Sequence, residues 1–595
     1  MTSAPASATT NEADAAAAAN LFALAVQQHQ AGNLAEAERV YREALARDPN
    51  HFDSLHLLGV IGHQSGRYDL AIEMIGRAVV LNDRSATFHN NLAEALRIVG
   101  RHAEAATHAR RAIELEPNFA EAHMNLGNAL KQQGKNEEAA AEYERALSLK
   151  PNYAEAHANL GVARMDQGRL DEAIACYRRA LAIHPNFPAA EMNLGIAFHQ
   201  KGEWDDAASH YRRALGLAPN YVLAHMNLGD TLFEQGRLDE AISQYETALR
   251  ITTGGFGPDS KELKPAESLA VMSTGQRPLY PVEDKCVMSL VRAHCWRDPL
   301  TGWDRLCAAA LRHDGLCPES RYELAIRTAI QQWIKRDYQG LAATLAHGGS
   351  IFDLVTKPNQ NVKNSRAYAG FLQALLSYAG QNPDARTAPG ALPPIPIIGD
   401  SHCLAYDGTR LSVDGAPHAG AARLIMGCKA WHLGNDAPNR FKGLFETIVG
   451  GLPEGSTAIC TFGEIDCRLD EGILHHYRKA GGDIETLVAA TVGRFVGYAD
   501  GVAAPRSLTL MFIGVPAPHF AAMTARDPAP SDEDKALLIR IIRLFNGSLE
   551  RAAKEKRHKY IDVYQASAGA DGAASGLQHL DDIHLKPDLV RLVLN

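Results

Sequence analysis

Residues 120–153 read AEAHMNLGNALKQQGKNEEAAAEYERALSLKPNY, and this stretch sets the reading of the N-terminal part of the chain. Five of its positions return at a spacing of 34 residues on either side. Gly134 stands in line with Gly32, Gly66, Gly100, Gly168, Gly202 and Gly236. Ala139 belongs with Ala37, Ala71, Ala105, Ala173, Ala207 and Ala241, and Ala146 with Ala44, Ala78, Ala112, Ala180, Ala214 and Ala248. Pro151 has counterparts at Pro49, Pro117, Pro185 and Pro219, with Asp83 in the remaining place. Leu126 has counterparts at Leu24, Leu58, Leu92, Leu160, Leu194 and Leu228. Each row has a physical task. The Leu anchors a first helix, the Gly closes it, the two Ala let a second helix approach, and the Pro forbids its continuation.

This period and residue choice resemble the tetratricopeptide repeat (TPR). One such hairpin cannot bury its apolar face alone, so neighbours stack into a solenoid with a concave groove. Residues 18–255 read as seven repeats, and residues 1–17, Ala/Ser/Thr-rich and acidic, as a disordered lead-in. Asn91, Asn125, Asn159, Asn193 and Asn227 precede the anchoring Leu of repeats three to seven. This row resembles the asparagine ladder of O-GlcNAc transferase TPR domains. The resemblance implies a polypeptide client held through its backbone, because an amide both donates and accepts. The same side chains could instead cap or bridge the hairpins internally.

Charge and length limit the alternatives. The 595 residues imply several domains. Sixty Lys and Arg against 69 Asp and Glu leave a net −9, which offers no basic surplus for nucleic acid. No apolar run reaches the roughly 18–20 residues of a membrane span, and no cationic, apolar leader opens the chain. Nine cysteines, an odd number, fit free thiols in a reducing compartment, so a cytoplasmic location is expected. Cys286, Cys295, Cys307 and Cys317 lack the close pairs of a zinc site, and neither metal nor cofactor is expected.

Residues 256–280 read as a linker, and residues 281–390 as a helical adaptor that continues the solenoid or docks it onto the last domain. Within the adaptor, Glu319 to His347 suggests a degenerate hairpin and Ser365 to Ala379 a further helix. From about residue 391 the periodicity changes. Short apolar runs at Ile395–Ile398, Arg423–Met426, Thr457–Phe462, Leu508–Val515 and Tyr560–Tyr564 alternate with helical stretches such as Asp483–Tyr498 and Asp532–Lys554. That alternation predicts an α/β domain with a parallel sheet, whose ligands bind beyond the carboxyl ends of the strands.

Three polar motifs fall at such ends: Gly399-Asp400-Ser401-His402, Gly463-Glu464-Ile465-Asp466-Cys467-Arg468, and Asp581-Asp582-Ile583-His584. A Ser on a tight strand-to-helix turn is placed to act as a nucleophile, and an Asp three residues before a His can orient the imidazole toward it. In this order and setting, residues 394–595 resemble the SGNH (GDSL-type) hydrolases. The resemblance implies a flavodoxin-like three-layer fold and cleavage or transfer of acyl esters, often on carbohydrates. It assigns Ser401 as nucleophile, His584 as base and Asp581 as the residue that orients it. It further places Gly427 in the oxyanion hole beside the Ser401 amide. Asp400, Gly463, Asp466 and Arg468 are the remaining oxyanion or substrate-binding candidates. The family's Gly-x-Asn-Asp block departs here, with Ile465 where an Asn side chain would donate. One lost oxyanion donor costs about 2.7–4 kcal/mol, unless Arg468 or His432 supplies a positive partner.

The expected activity is that of a TPR-recruited esterase or acyltransferase acting on a glycan or glycosylated protein. Two alternatives stand beside it: a protein glycosyltransferase whose TPR arm holds the acceptor, and a non-catalytic scaffold with a degenerate SGNH domain.

Overall fold

The computed structural model describes residues 6–252, 281–297, 316–356, 358, 360–382, 390–400, 402–407, 409–425, 428–434, 439–462, 472–518, 531–569 and 573–574. The chain divides into two compact units, Met1–Pro219 and Asn220–Asn595. The linker expected at 256–280 lies outside the described residues.

Fourteen helices build the N-terminal α-solenoid. In pairs they are α1 (Ala6–Gln30) and α2 (Leu34–Arg47), α3 (Phe52–Gln64) and α4 (Tyr68–Leu81), α5 (Ala86–Ile98) and α6 (His102–Leu115), α7 (Ala120–Gln132) and α8 (Asn136–Leu149), α9 (Ala154–Asp166) and α10 (Leu170–Ile183), α11 (Pro188–Lys201) and α12 (Trp204–Leu217), and α13 (Val222–Glu234) and α14 (Leu238–Thr252). The first six pairs form one unit, and the seventh opens the other.

All seven turn glycines adopt φ between 74° and 81°, the left-handed region where a side chain is strained. The two alanine rows are buried throughout. A further row fills the hairpins. Tyr143, Tyr177, Tyr211 and Tyr245 are buried and lie against Gly127, Gly161, Gly195 and Gly229 of the facing helix. A Cβ on any of these glycines would stand 2.6–2.7 Å from the tyrosine ring.

Two expectations are corrected. Residues 6–17, expected as disordered, belong to α1, because alanine is the best helix former and the run joins the first repeat without a breaker. Leu24, expected as a buried anchor, is 43% exposed, because among the described residues no hairpin precedes the first one. Its counterparts from Leu58 to Leu228 are at most 7% exposed.

In the second unit α15 (Pro281–Arg297) packs against α14. α16 (Pro318–Ile334) and α17 (Tyr338–Phe352) form the expected hairpin, followed by α18 (Gln360–Gln381). Glu323 on α16 is clamped between Arg292 of α15, at 2.6 and 2.9 Å, and Arg327, at 2.8 and 3.1 Å.

The chain then enters a mixed sheet: β1 (Pro394–Gly399), α19 (His402–Ala405), β2 (Arg410–Val413), β3 (Ala416–Leu424), α20 (Ala430–Gly434), α21 (Arg440–Gly450), β4 (Thr457–Thr461), α22 (Gly472–Ala480), α23 (Ile484–Ala503), β5 (Thr509–Ile513), α24 (Asp532–Glu555), β6 (Lys559–Ile561) and α25 (Tyr564–Ser567). The strand order is β2-β3-β1-β4-β5-β6. Five strands run parallel, and β2 is antiparallel to β3 at the edge.

Alternate residues of each strand face opposite layers. On one face Ile395, Ile397, Ile459, Met511, Ile513 and Ile561 share a core with Trp333 and Leu341 of the adaptor hairpin and Phe371 of α18. Among the described residues, the one helix in the connection from β1 to β3 is the four-residue α19, too short to cover this face, and α16–α18 do so instead. On the other face Phe445, Phe462, Phe495 and Phe512 form a chain of edge-to-face rings 5.5–6.2 Å apart. No helix among the described residues is long and apolar enough to cross a membrane.

Candidate functional site

The solenoid asparagines sit between hairpins. Asn125 Nδ2 donates to Asn90 Oδ1 at 3.0 Å, Asn90 Nδ2 to Asn91 Oδ1 at 3.3 Å, and Asn91 Nδ2 to His56 Nε2 at 2.9 Å. This relay ties repeats two, three and four together. The His56 ring stacks on Phe88, 4.4 Å between centroids, and burial pushes its pKa down to about 4. A neutral ring is the one that can accept from Asn91. Asn159 Nδ2 donates to Asn128 Oδ1 at 2.9 Å, an oxygen that also accepts from Tyr143 Oη at 2.8 Å. Asn193 and Asn227 are half-buried. Three of the five amide nitrogens are thus engaged between hairpins.

A histidine row stands beside the asparagines. His89, His123 and His157 turn Nε2 toward the carbonyls of Asp83, Pro117 and Pro151 at 3.0–3.2 Å, closing the loop that precedes each helix. His89 Nδ1 faces His108 Nδ1 at 3.0 Å, and burial lowers the pKa of both rings. The repeat spacing of these histidines was visible in the sequence.

In the C-terminal unit, Ser401, Gly427, Gly463, Asp466, Arg468, Asp581 and His584 lie outside the described residues. The strand ends that precede Ser401, Gly427 and Gly463 in the chain are described. Gly399 closes β1 beside Thr461 of β4, and a Cβ on Gly399 would overlap the Thr461 hydroxyl. That contact is why the motif opens with Gly. The Thr461 hydroxyl is buried and has no hydrogen-bond partner among the described residues. Gly399 O accepts from Ile425 N at 2.7 Å, which ties the end of β1 to the end of β3. Asp400 is 1% exposed. Trp333 Nε1 of the adaptor donates to Leu404 O at 2.9 Å, fixing the helix that follows the serine position. Asp407 Oδ1 accepts from Ala422 N at 3.1 Å.

Other loops at this edge are held as firmly. Asn546, buried on α24, grips Val515 at both ends of its amide: Oδ1 accepts from Val515 N and Nδ2 donates to Val515 O, each at 2.7 Å. Its place is positional, in line with the absence of a catalytic counterpart for it in the sequence motifs. Ser567 Oγ accepts from Ala517 N at 2.9 Å.

His432, expected as a possible positive partner at this site, is held as a neutral ring. Burial pushes its pKa down to about 4, Nδ1 accepts from Lys429 N at 3.0 Å, and the ring stacks on Phe441 with centroids 4.1 Å apart. Cys403, Cys428 and Cys460 are buried, and burial raises the thiols of Cys403 and Cys460. Unionised thiols of that kind fill space rather than react.

Sequence profiles described as TPR repeat match residues 94–134 and 127–168, and profiles described as tetratricopeptide repeat match 22–86, 158–222 and 192–256. Tetratricopeptide repeat protein 7B of Homo sapiens is 42% identical over 74 residues, which are 12% of this chain and 9% of that protein. The mouse protein of the same name is 38% identical over 65 residues, 11% of this chain and 8% of that protein. The chain thus spans less than a tenth of the length of these relatives. Among solved structures, MamA is 29% identical, with 27% of this chain and 94% of that chain covered at a TM-score of 0.26. The pilF protein of Pseudomonas aeruginosa is 22% identical, with 36% and 96% covered at a TM-score of 0.32.

Proposed function

From a tetratricopeptide-repeat array over residues 22–256, we propose that this chain recruits a polypeptide and carries an SGNH-type esterase or acyltransferase in its C-terminal domain. The substrate is an acyl group on a glycan or glycosylated protein. One observation carries the reading. Taken alone, the parallel strands lie in the order β3-β1-β4-β5-β6, which in chain order is 2-1-3-4-5, the doubly wound arrangement of flavodoxin-like folds. In that order the crevice opens between β1 and β4, where successive connections diverge, and Gly399 and Thr461 stand side by side there. The loops that begin Asp400-Ser401 and Gly463-Glu464 leave from those two strand ends.

In this reading Ser401 attacks the acyl carbonyl, and His584 takes the hydroxyl proton while Asp581 holds its ring. The amides of Ser401 and Gly427 face the oxyanion. The alkoxide leaving group takes the proton from His584, and water or an acceptor hydroxyl then releases the acyl group from Ser401. Ile465 makes the oxyanion hole one donor short, and Arg468 holds a negative charge on the substrate. Turnover of acetyl esters by the wild-type chain should vanish in Ser401→Ala and in His584→Ala. Equal turnover by wild type and both variants would refute the assignment.

The Ile465 substitution favours one other reading, a polypeptide-binding scaffold with a decayed site. A folded wild-type chain that turns over no ester at any pH would support that reading instead.

A further inference from the structure

A second periodic feature runs along the second helices of repeats two to six. Arg77, Arg111, Arg145, Arg179 and Arg213 recur every 34 residues. Arg145 lies two residues, about 200° of helix, from the buried Tyr143, and so points outward. In the earlier repeats this arginine is used internally. Arg77 donates to Pro49 O of the preceding hairpin at 3.2 Å, and Arg111 pairs with Glu114 at 3.1 Å and reaches Asp83 at 3.9 Å.

In repeats four to six the same two acidic positions are neutral. Glu114 is replaced by Ser148, Ala182 and Gly216, and Asp83 by Pro117, Pro151 and Pro185. Arg145, Arg179 and Arg213 are exposed and make no ion pair with a described residue. Glu144, the acid next to Arg145, is committed to Arg164. Arg178 and Arg212 add exposed guanidinium groups beside two of the three. One helical turn beyond each arginine stands an aliphatic side chain, Leu149, Ile183 and Leu217, half-buried in the first two and 40% exposed in the last.

We infer that the outer face of α8, α10 and α12 is a docking surface for an extended acidic polypeptide segment whose carboxylates alternate with apolar residues. The guanidinium forks take the carboxylates, and the aliphatic row takes the apolar side chains between them. The alternation of charge with aliphatic surface is what selects a polypeptide over an anionic glycan or lipid headgroup, which have no use for the second row. The arginines stand on the second helices of their hairpins, whereas the asparagine row stands on the first helices.

The probe is a fluorescent peptide in which Glu alternates with Leu, titrated into the full-length chain and followed by anisotropy. Saturable, salt-sensitive binding is expected, weakened about tenfold by each of Arg145→Gln, Arg179→Gln and Arg213→Gln. Arg540→Gln and Arg551→Gln, which remove the same charge from exposed parts of α24, should leave it within about twofold. All five positions lie on helix surfaces, and an unchanged circular-dichroism melt confirms folding. Equal affinity of the wild type and the three arginine variants would overturn the assignment. So would tighter binding of an oligouronate or of phosphatidylserine vesicles that depends on the same three arginines, which would give the surface to a glycan or a membrane.

Discussion

At the scale of single residues, the hairpins are fitted by pairs rather than by rows. Gly127 and Tyr143 are one such pair. Gly127→Ala would put a methyl 2.7 Å from the ring, and the fold should lose about 1–3 kcal/mol, read as a lower urea midpoint. The tyrosines also differ in what their hydroxyls meet. Tyr143 Oη bonds Asn128, whereas the buried Tyr177 Oη has no partner among the described residues. Tyr143→Phe should therefore cost about 1 kcal/mol and Tyr177→Phe nothing, or should stabilise. The reason is legible in sequence: Asn128 is replaced by Val162 one repeat later. The histidines set a pH dependence. His56, His89 and His108 all have folded pKa values below the ordinary 6.5, with burial as the leading cause. The unfolded chain binds more protons in this window, so the stability they confer is complete above about pH 6.5 and falls toward pH 4. His56→Phe should flatten that part of a melting-temperature profile against pH.

At the scale of elements, the sequence showed most of the strands but misread one hairpin. Three of the apolar runs coincide with β1, β4 and β5, and the run expected at Tyr560–Tyr564 overlaps β6 only at its start, since β6 spans Lys559–Ile561 and α25 begins at Tyr564. β3 was expected at Arg423–Met426 and instead spans Ala416–Leu424, with β2 paired beside it. The segment APHAGAARL is poor in β-branched and aromatic residues, so periodicity alone could not mark it. Its signal lies in the turn. Asp414 and Gly415 have φ of 52° and 78°, the two-residue turn that Asp-Gly favours between antiparallel strands. Between helices, the α15–α16 clamp is a buried charge cluster. Burial raises the Glu323 carboxyl, but Arg327 and Arg292 outweigh it and hold its pKa at about 2. Glu323→Gln leaves the arginines uncompensated and should lower the stability of the second unit by about 3 kcal/mol, visible in a thermal melt. Asn546→Ala should release the loop at Val515, with faster amide exchange there than at β5.

At the scale of the whole molecule, the solenoid was readable because its physics repeats every 34 residues. The helices of the adaptor were readable too, but their packing partner was not, because it lies far away in the chain. Only the fold reveals that α16 and α18 form a layer of the α/β sheet, since Trp333 and Leu404 are separated by 71 residues of chain. The last hairpin is joined to that same unit. Arg440 of α21 pairs with Glu234 of α13 at 2.6 Å and lies over Phe233, and the Gly236 turn abuts Asn439 O. Removing this link with Glu234→Ala should raise the Michaelis constant for a glycosylated polypeptide ester more than for a small acetyl ester, if recruitment and chemistry are coupled through it.

The proposed chemistry requires Ser401 to act as a nucleophile at the switch point between β1 and β4. Treatment with a fluorophosphonate followed by peptide mass spectrometry tests this. One adduct is expected, on the peptide containing Ser401, and it should be lost in His584→Ala. An unlabelled wild-type chain, or an adduct on any other residue, would contradict the proposed chemistry.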